Sequence, residues 1–156
     1  LRMMGDFIDN NPSGSVGAGG KYRFQSNGTQ RVKIPHANNS YLVVEGTTRV
    51  ELHSDYTGST STGVDSWIGG TLDLGRHPVD VGRVPFDSPT LVFGDQDSLI
   101  ETDYLVHMNT IVIEIENIFT NTGFTSGSDL VLIDYADRHP ASQDIDPAAL
   151  SPCRRM

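Results

Sequence analysis

Apolar and polar residues alternate along much of this chain. In "KYRFQS", Tyr22 and Phe24 alternate with Lys21, Arg23 and Gln25. "QRVKIP" sets Val32 and Ile34 against Arg31 and Lys33, and "TTRVELHSD" sets Val50 and Leu52 against Arg49, Glu51 and His53. In "TIVIEIENIF", Ile111, Ile113 and Ile115 oppose Glu114 and Glu116. Side chains of an extended strand point alternately to its two faces, so each segment predicts a strand with one buried face. "YLVVEG", "WIGGTLDLG", "PVDVG", "TLVFG", "SLIETDYLVHM" and "DLVLIDYA" extend the set to roughly nine or ten short strands. Turn residues separate them, including the Asn-Gly of "SNGT" and the Gly69-Gly70 pair. No ten-residue segment keeps a helical period, and "DPAAL" (146–150) suits a single turn. No internal repeat at a solenoid or propeller period stands out.

These elements predict an all-β domain: an antiparallel two-sheet β-sandwich of jelly-roll type over residues 21–136. Residues 1–20, rich in Gly, Asn and Ser, form a flexible N-terminal arm, and 137–156 form a polar C-terminal tail. The segment "DLVLIDYA" breaks the rule of one apolar face. Leu130 and Leu132 lie on one side, with Val131, Ile133 and Tyr135 on the other. One set fills the core, and the other requires a tail or a neighbouring subunit over it. Val131, Ile133 and Tyr135 are therefore the expected interface of a homo-oligomer or lattice.

The formal charge is −9, with fifteen Asp against five Glu and nine Arg against two Lys. An acidic surface repels phosphate backbones, which argues against direct nucleic-acid binding. Short carboxylates with few lysines match the surface chemistry of halophilic proteins, or an ordinary acidic protein from a GC-rich genome. No apolar run reaches the roughly 18–20 residues of a membrane span. The lone Cys153, in "SPCRRM", has no internal partner, which leaves a free thiol, the expected state, or an intermolecular bridge.

Catalytic signatures are absent. No GxSxG, Ser-x-x-Lys or HExxH occurs, and "GAGG" (17–20) lacks the helix a phosphate loop needs. The chain is read as a non-enzyme without a cofactor. "GDQDSLIETD" gathers Asp95, Asp97, Glu101 and Asp103, and its DxD start is a fragment of a calcium loop, which makes these four the candidate Ca²⁺ ligands. Asn27 and Asn38 begin formal N-glycosylation sequons on predicted turns.

The outline, and the ending "LIETDYLVHMNTIVIEIENIFTNTGFTSGSDLVLIDYAD" in particular, resembles the viral single jelly-roll capsid proteins. There a charged-out strand, an "NTG"-type turn and an apolar last strand close the sheet. The resemblance implies a virion structural component, either capsid or outer capsid-associated, that self-assembles and meets other virion proteins. The N-terminal arm departs from that pattern: residues 1–20 hold one Arg, two Asp and no Lys, unlike a genome-contacting arm. The alternative is an extracellular carbohydrate-binding module or a filament or surface-layer subunit. A binding module would display aromatics, for which Tyr41, Tyr56, Trp67 and Tyr104 are the candidates.

Overall fold

The computed structural model describes residues 2–10, 20–34, 40–59, 66–95, 97–107, 109–116 and 131–138. Consecutive strands alternate between two sheets, except at one point where two in succession join the first sheet. The first contains, side by side, β1 (Arg2–Met3), β3 (Lys21–Phe24), β5 (Tyr41–Val44), β8 (Trp67–Ile68), β10 (Val79–Phe86), β12 (Ile100–His107) and β14 (Ile133–Arg138). The short β7 (Tyr56–Thr57) pairs with the start of β10. The second sheet runs β2 (Phe7–Ile8), β4 (Thr29–Lys33), β6 (Arg49–Leu52), β9 (Thr71–Gly75), β11 (Thr90–Phe93) and β13 (Val112–Ile115).

Among the described residues every strand pairing is parallel. The chain is a β-solenoid. It climbs one rung per circuit, laying one strand in each sheet. This overturns the antiparallel jelly-roll sandwich, and with it the resemblance to viral capsid proteins. The all-β class stands. The physical reason for the difference is plain in the first turn. Ser26–Thr29 does not fold β3 back onto β4; it carries the chain across to the other sheet. There β4 pairs with β6, and β3 pairs with β5.

Register fixes the repeat. In the second sheet Gln30, Val50, Leu72, Leu91 and Ile113 stack in one column, so the rung recurs every 19–22 residues. In the first, Met3, Phe24, Val44, Ile68, Phe86 and His107 stack at intervals of 18–24 residues. A repeat is therefore present, carried mainly by burial and only locally by residue identity.

The interior between the sheets is apolar and close-packed. Phe24, Leu42, Leu72, Leu74, Phe86 and Phe93 are buried in one continuous core. A gap among Leu42, Ile68, Leu72, Val84 and Phe86 holds only about 10 Å³. Tyr56 enters this interior because its hydroxyl meets Ser40 Oγ at 2.9 Å. Burial pushes its phenol pKa well above the ordinary value, so it remains neutral. The long strands β10 and β12 bend in the same place. Val79 and Val81 face inward before the bend, and Val84 and Phe86 after it. At that corner the Arg83 guanidinium lies 5.3 Å from the centre of the Tyr104 ring, its partner on the next rung.

The turns stack as well as the strands. Thr48, buried, donates its hydroxyl to Ser26 O and accepts from Ser26 N, tying two successive turns together. On the opposite side Gly94 N donates to Gly75 O, and Ser98 Oγ donates to the same carbonyl. Gly75 has φ +57°, and a Cβ built on Gly94 would lie 2.6 Å from Gly75 O. Rungs spaced at about 4.8 Å leave no room for a methyl between those backbones.

Gly94→Ala is expected to destabilise the protein by roughly 1–3 kcal/mol through overpacking against backbone that cannot yield. Gly28→Ala, where nothing lies within 4 Å of the added methyl, should be neutral or slightly stabilising. Urea denaturation of both variants beside the parent checks the contrast; equal midpoints would show that the turns do not stack this tightly.

Candidate functional site: the acidic C-terminal rungs

Parallel register forces like positions of neighbouring rungs into columns. On the outer side of the first sheet, Asp80 pairs with Glu101 and Glu101 with Asp134. They alternate with the inward Val79, Val81, Ile100 and Thr102, so the three carboxylates project from the same face on adjacent rungs. Asp103 and Tyr135 join them around an open groove of about 330 Å³, lined also by Thr102 and Ala136. Tyr135 is exposed at its edge. Chain segments from three successive rungs thus meet at one surface.

The structure divides the sequence-derived cation candidates. Glu101 and Asp103 line the groove, whereas Asp95 and Asp97 belong to the turn between β11 and β12. In that turn Asp97 N donates to Asp95 Oδ1, and Asp95 N donates to Ser98 Oγ. Among the described residues no three His, Cys, Asp or Glu side chains converge as a metal site would require. His77 Nδ1 lies 2.8 Å from Asp55 Oδ1 in a local pair, and His53 is exposed. His36, His139, Cys153, Asn38 and the 146–150 segment lie outside the described residues.

The expected interface residues all fall on or beside the last strand of the first sheet. Ile133 sits in register over the buried Ile100 and packs, with Leu132, against the core. Val131 and Tyr135 are exposed; Leu130 is outside the described residues. Tyr135 registers with the buried Thr102 yet is itself exposed. The aromatic candidates do not share a row: Tyr56 is in the core, Tyr104 is stacked under Arg83, and Trp67 and Tyr41 are half-buried on different rungs.

Sequence reasoning missed Asp80 and Asp134 because neither is near Glu101 along the chain. A signal existed. "TLDLG" (71–75) and "TLVFG" (90–94) are nearly the same pentapeptide 19 residues apart, and they pair directly.

Among the described residues no helix is long and apolar enough to cross a membrane. Comparison with family models, curated proteins and solved structures returns no match.

Stacked carboxylates repel across about 4.8 Å, and this repulsion shortens in range from about 30 Å at 0.01 M salt to about 3 Å at 1 M. Glu101→Gln is expected to stabilise the protein at low salt by about 0.2–1 kcal/mol, with the gain vanishing at molar salt. Thermal melts of parent and variant at both salt concentrations check this; a variant gain that persists at high salt would point to packing instead.

Proposed function

We propose that this chain is a non-enzymatic structural subunit that self-associates into an extracellular filament or surface layer. One observation carries the reading. The exposed large apolar side chains among the described residues are Met4, Ile8, Val112, Val131 and Tyr135, and all belong to the two end rungs. Intermediate rungs keep their apolar residues covered; Met4 is 64% and Val131 58% exposed. Apolar surface left open at a sheet edge is where a further strand adds, because unpaired backbone groups there accept a partner. Repeat proteins that remain monomeric need polar caps at such ends.

The outer faces support a structural role. Arg49 bridges Glu51 on its own strand, with Nε at 3.6 Å, and Asp73 on the next rung. Arg23 meets Glu45 at 3.4 Å, again near the next rung. Each pair is partly exposed and weak by itself, but Arg49–Asp73 and Arg23–Glu45 join rung to rung outside the core.

The parent protein is expected to sediment as an oligomer at micromolar concentration. Val131→Arg with Tyr135→Arg should sediment as a monomer with an unchanged β-type circular dichroism spectrum. An oligomer that persists in this variant would place the interface elsewhere; a monomeric parent would remove the reading.

A further inference from the structure

The two ends differ in charge. The first rungs, over residues 2–10 and 20–34, hold five basic residues (Arg2, Lys21, Arg23, Arg31 and Lys33) against Asp6 and Asp9. The last, over 100–116 and 131–138, hold six acidic ones (Glu101, Asp103, Glu114, Glu116, Asp134 and Asp137) against Arg138. Arg2, Lys21 and Arg31 are exposed at one end, as are Glu101, Glu114 and Asp134 at the other. A groove of about 540 Å³ beside the basic end is lined by Arg2, the exposed Met4 and Glu45, the last paired with Arg23, and the acidic groove by Glu101, Asp134 and the exposed Tyr135.

We propose that copies of this chain stack head to tail, the acidic end formed by β13 and β14 seating on the basic end formed by β1 and β2 of the next copy. This rests on the self-association reading and assigns its polarity. Three observations agree. Both ends expose apolar side chains, so neither is a finished cap. Their charges are opposite, so unlike ends attract while two acidic or two basic ends repel. Strand direction is the same on every rung, so only head-to-tail stacking continues the parallel ladder; a two-fold join would oppose the strands. The two-residue strands β1 and β2 offer few backbone groups, which leaves apolar contact and charge to carry the join. Unlike ends on a single chain leave one of each free after every addition, so the assembly grows as an open, unipolar filament.

Mixing tests the polarity separately from the association. Met4→Asp with Ile8→Asp blocks the basic end, and Val112→Arg with Tyr135→Arg blocks the acidic end. Each variant alone is expected to be monomeric by sedimentation, and an equimolar mixture should give a one-to-one dimer through the remaining unlike ends. Homodimers of either variant without a mixed dimer would overturn the polarity while leaving self-association intact, and so would long assemblies of either. The parent protein supplies a measurement independent of substitutions. Its apparent dissociation constant is expected to rise at least about tenfold between low and molar salt, as attraction between unlike ends is screened. A constant that falls with salt marks like-end contacts and overturns the proposal. A parent that is monomeric at both salt concentrations removes the underlying reading as well.

Discussion

Everything in this molecule hangs on the backbone ladder between rungs. Each strand donates and accepts along the solenoid axis to strands about twenty residues away in both directions, so register is locked by main-chain geometry before side chains are considered. Turn carbonyls join the same ladder through bonds such as Gly94 N to Gly75 O and Arg49 N to Gly28 O. A slip of one residue would turn Val50, Leu72 and Leu91 outward together, which the hydrophobic effect strongly opposes.

That constraint makes chemistry columnar. Inside, apolar residues of unequal size stack as Phe24, Val44, Ile68 and Phe86, with Gln30 entering the column above Val50 by donating its amide to Gly5 O at 2.8 Å. Outside, the same stacking brings opposite charges together at Arg49 and Asp73 and like charges together at Asp80, Glu101 and Asp134. A favourable pair and an unfavourable triad thus arise from one geometric rule. The acidic triad is tolerated on an open face because water and counterions reach it.

The strands themselves were legible. Segments 21–25, 31–34, 49–53 and 111–116 alternate as read and appear as β3, β4, β6 and β13. Their partners were not legible, because period-2 alternation is identical in parallel and antiparallel sheets and says nothing of which strand lies alongside. The Asn-Gly at 27–28 is a turn signal in the sequence, but here it serves a corner that leads to the other sheet and not a hairpin. Residues 2–10, read as part of a flexible arm, supply β1 and β2. Of the site, Glu101 and Asp103 were visible as acidic residues, but their meeting with Asp80 and Asp134 depends on the rung length. Rungs of 18–24 residues with unlike turns hide that length from any fixed-period search.

The stacked turns at Thr48 and at Gly75–Gly94 lie in the middle of the ladder, with paired rungs on both sides. Each rung rests only on its neighbours, so opening one in the middle breaks two interfaces, while opening one at an end breaks a single interface. Local unfolding is therefore expected to begin at the ends and move inward, with backbone amides of β6 and β9 exchanging hydrogen far more slowly than those of β1 or β14. Growth and fraying share the same surfaces: whatever binds an end also closes the route by which the fold comes apart.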